Sequence, residues 1–150
     1  MNRLAVINVV GLTEALIGEH TPRIAEFRRR GALAQIAPAF PAVTCTAQSN
    51  YLTGTMPSQH GIVGNGWFNR ELSEVHFWKQ SNALVQGKKI WHEAKKRNPD
   101  FSSAQLFWWY NMYSKNDIAV TPTTFFESGK RLAGISPAAT VNEGFAAPRR

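Results

Sequence analysis

The fold turns on residues 4–37, LAVINVVGLTEALIGEHTPRIAEFRRRGALAQIA. Within this stretch Leu4 to Val10 is an almost continuous apolar run, rich in β-branched residues, interrupted by Asn8 and closed by Gly11. Alternation would signal a strand with one wet face, whereas a continuous run predicts a strand covered on both faces, as in a parallel sheet. Thr21-Pro22 then leads into RIAEFRRR and Gly31. Threonine as N-cap, proline at the first helical position and glycine just past the end predict a helix, with Ile24 and Phe27 on its inner face. Ala32 to Ala37 is a second short apolar stretch able to return as a strand. Together they make one strand-helix-strand unit of an α/β fold, with a right-handed crossover.

Outward from this unit, PAFPAVTCTAQSNYLTG (residues 38–54) opens with prolines that break regular structure. Thr44 falls where a helix can begin, as its candidate N-cap, and the helix is expected to run to about Gly54. PSQHGIVGN (57–65) reads as loop, and Trp67 to Trp78 holds two aromatic runs separated by Glu71 to Glu74, the mark of a short aromatic hairpin. Lys88 to Arg97 carries Ile90, Trp91 and Ala94 at helical spacing and is stopped by Asn98-Pro99, while SAQLFWWY (103–110) reads as a further strand. After about Thr121 neither period is sustained and Ala, Gly, Pro, Ser and Thr dominate. Residues 1–120 are thus expected to form one α/β domain and residues 121–150 a poorly structured tail.

Composition bounds the function. An apolar share of 43% over 150 residues is enough for one core. No stretch reaches the roughly 20 apolar residues of a membrane span, and the chain runs straight into a strand-like segment instead of a secretory leader, so a cytoplasmic protein with no membrane partner is expected. Cys45 is the single cysteine, which excludes an intrachain disulfide and a cysteine-built zinc cage. Lys plus Arg outnumber Asp plus Glu by 17 to 10, in clusters at Arg28 to Arg30, Lys88 and Lys89, Lys95 to Arg97, and Arg149 and Arg150. Such charge attracts polyanions, but clusters on helices are commonly solvated faces. Aromatic residues are not interleaved with them, so nucleic acid ranks last among the partners.

A hydroxyl in the first turn of a helix sits among unpaired N–H groups at the positive end of the dipole, which favours an alkoxide and an incoming phosphate. Thr44 has that placement, although a threonine there is also an ordinary cap. From Pro41 the chain reads PAVTCTAQSNYLTGTMPSQHGIVGN. In order and spacing this resembles the type I phosphodiesterase and nucleotide pyrophosphatase family of the alkaline phosphatase superfamily. The matching elements are Thr44, Thr53-Gly54, Pro57, His60-Gly61-Ile62 and Asn65, followed by Trp67 to Phe77, Ile90-Trp91 and Phe107-Trp108. The resemblance implies an alkaline phosphatase-like, mostly parallel sheet flanked by helices. It also implies a nucleotide or small phosphodiester substrate, Thr44 as nucleophile and as a metal ligand through its hydroxyl, and two zinc ions. Asn65 falls at the residue that donates to a non-bridging phosphate oxygen, where His60 is structural.

Three departures qualify the match. The family's first strand ends in a zinc-binding Asp, where this chain has Val10. Asn8 lies on the same face but about 6 to 7 Å away and offers a neutral oxygen. Where the family often has Asn-His after the nucleophile, this chain has Ala47-Gln48, and no Asp-His-Gly run follows downstream. A dinuclear site asks for about six protein ligands. The economical expectation is the N-terminal part of a hydrolase, incomplete as it stands, with residues after about Thr121 truncated or out of frame. Two alternatives stay open: a non-catalytic nucleotide- or phosphate-binding module, and a cysteine hydrolase pairing Cys45 with His60. Tryptophans 67, 78, 91, 108 and 109 would either stack on a base or pack the core.

Overall fold

The computed structural model describes residues 3–121 in full, and the backbone of 125–127, 130–132 and 139–141. The chain divides into two compact units, Met1–Ala37 and Pro38–Arg150.

In the first unit a single turn of 3-10 helix, Glu14–Leu16, precedes helix α1, Pro22–Arg29. Thr21 is the N-cap through its carbonyl, which accepts from Ala25 N–H at 2.9 Å. Its hydroxyl turns the other way, donating to the Leu16 carbonyl at 2.8 Å and accepting from Gly18 N–H at 2.9 Å. The entry into α1 is thereby stapled to the preceding turn. Arg28 adds an ion pair to Glu14 at 2.7 Å. Both strands expected here are absent: Leu4 to Val10 and Ala32 to Ala37 have no regular structure. Backbone donors and acceptors in a strand must be paired laterally, and no described strand lies against either stretch. Leu4 is 89% exposed and Phe27 72%, so Phe27 does not form the inner face assigned to it.

The second unit opens with a cis Phe40-Pro41 peptide and helix α2, Thr44–Thr53. Val43, not Thr44, is the N-cap, which makes Thr44 the first helical residue. Gly54 ends the helix at φ 66°, a left-handed position that costs glycine nothing. Four-residue helix α3, Pro57–His60, follows, and then β1, Gly66–Asn69, pairs antiparallel with β2, Glu74–Phe77. A 3-10 turn at Asn82–Leu84 leads to α4, Ile90–Arg97. Strand β3 is confined to Ala104–Leu106 and lies parallel to β4, Ile118–Val120.

The expected strand through Tyr110 stops at Leu106 because the chain turns sharply. Phe107, Tyr110 and Tyr113 take positive φ of 58°, 59° and 61°. Left-handed backbone at bulky residues costs on the order of 1 kcal/mol each. Buried amides offset the strain: Asn111 Nδ2 donates to the Val120 carbonyl at 2.6 Å, its Oδ1 accepts from Thr121 at 2.6 Å, and Asn82 Nδ2 donates to the Tyr110 carbonyl at 2.8 Å. Backbone strands β5 (Phe125–Glu127), β6 (Lys130–Leu132) and β7 (Ala139–Val141) fall in the segment expected to be poorly structured, and β7 pairs antiparallel with β4. The other residues after Thr121 lie outside those described. Among the described residues one of the four strand pairings is parallel, so the architecture is α/β with small sheets, one of them mixed, instead of the mostly parallel sheet expected.

The core of this unit gathers Cys45, Ile62, Val85 and Tyr110, with Trp67, Trp78 and Trp109 packed against it. The Trp78 and Trp109 rings stack at 4.7 Å between centroids, tilted by 32°. Three of the five tryptophans therefore serve packing, and Trp91, in the first turn of α4, is buried.

Candidate functional site

Helix α2 buries Cys45, Thr46, Gln48, Ser49 and Leu52, a mostly polar face. Buried polar groups ordinarily find partners; the Thr46 hydroxyl has none, while Ser49 and Gln48 are held. Ser49 donates to the Cys45 carbonyl at 2.8 Å, and Gln48 Oε1 accepts from Trp109 N–H at 2.9 Å. Gln48, one of the departures from the family pattern, thus ties the helix to the strained aromatic turn.

Asn65 reaches back twenty residues: its Oδ1 accepts from Cys45 N–H at 3.0 Å. The first turn of a helix leaves its N–H groups without intrahelical partners, and Val43 has no side-chain oxygen to supply one. The cap comes instead from a residue remote in sequence. Thr44 and Asn65 therefore meet at one helix terminus. Using Oδ1 for the cap leaves the Nδ2 donor of the same amide outside this bond. A half-buried threonine hydroxyl and an amide donor beside a positive helix end form an arrangement suited to a phosphate group.

His60 is fully buried and uses both ring nitrogens: Nδ1 accepts from Ile62 N–H at 3.0 Å, and Nε2 donates to Asn50 Oδ1 at 2.6 Å. The ring is the neutral Nε2–H tautomer, and burial holds its pKa below the ordinary value. It clamps α3 to α2 and does not face Cys45 as a catalytic partner. Cys45 is itself fully buried, and burial pushes its thiol up to about 11, an effect only partly offset by the Tyr110 hydroxyl beside it. That hydroxyl makes no hydrogen bond of ordinary geometry. A buried, protonated thiol with no histidine base overturns the cysteine-hydrolase alternative.

The donors for a dinuclear zinc centre are not assembled. Among the described residues no three of His, Cys, Asp and Glu converge as a ligand group. Val10, at the position where the resemblance implies an Asp, cannot bind a metal. The residues described do not fit two zinc ions. No described helix is long and apolar enough to cross a membrane.

An α/β chain with Thr44 and a remote asparagine at one helix start has a layout compatible with phosphate binding. More specifically, residues 4–145 match the model of the type I phosphodiesterase / nucleotide pyrophosphatase family, and the chain belongs to that family. Over 34 residues, 23% of its length, it is also 44% identical to the alkaline phosphatase PafA of Elizabethkingia meningoseptica, and the match spans 6% of that protein. No solved structure matches it.

Proposed function

We propose that this chain carries the nucleophile region of a hydrolase acting on phosphodiester or nucleotide pyrophosphate bonds, with Thr44 attacking phosphorus and Asn65 holding a non-bridging oxygen. The hydrogen bond from Cys45 N–H to Asn65 Oδ1 carries the reading, because it seats the amide at the helix end that Thr44 opens. In the first step the Thr44 hydroxyl gives its proton to solvent and its oxygen bonds to phosphorus, as the leaving alcohol or phosphate departs with the bonding pair and takes up a proton from solvent as its basicity requires. Water then cleaves the phospho-threonine bond and regenerates the hydroxyl. Charge accumulates on the phosphoryl oxygens in each transition state, where an oriented N–H donor is most useful. The helix terminus favours the alkoxide. Metal dependence is part of the family chemistry, and its protein donors are not among the described residues.

The test is hydrolysis of a chromogenic phosphodiester by the full-length protein with and without zinc. Activity abolished by Thr44→Ala and by chelation supports the reading; activity that survives both overturns it.

Val10 and the missing ligand cluster favour a second reading, a phosphate- or nucleotide-binding module that retains the cradle without turnover. Calorimetry separates the two. Nucleotide binding indifferent to zinc, with no hydrolysis, supports the module, and tight zinc binding contradicts it.

A further inference from the structure

Beside α4 lies an open cavity of about 420 Å³ whose walls include Lys88, Lys95, Lys96 and Lys115. Lys95 is paired with Asp117 at 2.8 Å and Lys96 with Glu93 at 3.1 Å. Lys88 and Lys115 are exposed and, among the described residues, have no ion pair. Glu93 lines the same hollow and attracts Lys88 as well, which leaves four lysines around one carboxylate there. Trp91 and His92 also line it, and Trp91 is buried at 6% exposure. Trp91 Nε1 and His92 Nε2 are shielded from solvent without a hydrogen-bond partner. A buried N–H lacking an acceptor is costly, as is a group of like charges. An oxyanion in the cavity would offset the like charges and would bring an acceptor of the kind that Trp91 Nε1 lacks.

We propose that the cavity is a binding site for a small phosphate-bearing anion with at least two negative charges, distinct from the helix start at Thr44. The lining residues include neither Thr44 nor Asn65, so the site stands independently of the proposed hydrolysis. The environment around His92 agrees: burial first, and then Lys89, Lys115 and Lys96, hold its pKa below the ordinary value, which reports a desolvated and positive surrounding. An anion seated there reverses the electrostatic part of that shift. Its size selects against a long strand: a nucleic acid needs a groove that follows its backbone, with bases stacked on aromatics, whereas this hollow holds one compact anion.

The experiment is calorimetric titration of the full chain with inorganic pyrophosphate, alongside the imidazole proton resonances, with His92 assigned through His92→Gln. The binding step that shifts the His92 resonance is expected to be saturable and to be weakened about tenfold by Lys88→Gln or by Lys115→Gln, whether or not pyrophosphate also occupies the helix start at Thr44. Saturation is expected to move the His92 titration to higher pH. Both lysines are exposed, so circular dichroism should show an unaltered fold in either variant. Undiminished affinity for the His92-reported step in the two lysine variants, or pyrophosphate binding that leaves the His92 resonance unmoved, would overturn the proposal. Displacement of pyrophosphate by an oligonucleotide but not by inorganic triphosphate would overturn the small-anion assignment.

Discussion

Asn65→Asp separates two roles that the wild-type side chain combines. Asn65 accepts from Cys45 N–H at 3.0 Å with its oxygen, and in the proposed function its nitrogen is the donor to phosphate. Aspartate keeps the acceptor and removes the donor. The new negative charge sits at the positive end of α2, worth about 0.3 to 1 kcal/mol of added stability. On a chain of 150 residues that raises Tm by roughly 1 to 5 °C. Toward substrate the change acts in the opposite sense. Loss of an oriented donor lowers kcat by about 10² to 10³, and a carboxylate about 4 Å from an anionic phosphate at an effective dielectric near 20 opposes binding by about 4 kcal/mol. The two losses fall on one group and do not simply add. Asn65→Ala, losing cap and donor together, is expected to cost about 1 kcal/mol of stability as well as turnover. Thermal denaturation and hydrolysis of a chromogenic phosphodiester, run on the same preparations, provide the comparison. An Asp variant that is destabilised, or one that keeps wild-type turnover, refutes the division of labour assigned to the two ends of the amide.

Three further outcomes follow from other parts of the chain. Gly54→Ala forces a side chain into the left-handed C-cap at φ 66° and should cost about 1 kcal/mol, read as a lower midpoint in urea. His60→Ala leaves Ile62 N–H and Asn50 Oδ1 without their partner in a buried place, with an expected loss of about 3 kcal/mol. His60 also sets an acid limit. Its folded pKa is depressed, so the neutral ring's contribution is complete above the unfolded value of about 6.5 and is lost as pH falls through the folded value; Tm should drop from pH 7 toward pH 5, and less steeply in His60→Gln.

Helix boundaries were more legible in the sequence than the strands around them. Helix α2 runs from Thr44 to Thr53 with Gly54 as its stop, because threonine near a start and glycine at an end act within one turn. Local rules nonetheless put the cap on Thr44, when the capping oxygen comes from Asn65 across twenty residues. A polar cap supplied over such a distance leaves no periodic trace. Leu4 to Val10 failed for the opposite reason. Its composition reports what a covered strand would need, not whether neighbouring strands are there to pair with it. SAQLFWWY shows a third limit: β-propensity carries the reading past Leu106, but Asn82 and Asn111 hold the chain in a turn by bonds that only the folded state makes. Gln48 went unrecognised as a support of the aromatic turn because a glutamine on a helix is ordinarily solvated.

Acid-quenched mass spectrometry of the full-length protein, caught during turnover of a phosphodiester, asks most directly whether position 44 meets phosphorus. A phosphoryl or nucleotidyl adduct on Thr44, absent from Thr44→Ala together with turnover, is the expected result. Sustained hydrolysis with an unmodified Thr44, or an adduct on another residue, would contradict it.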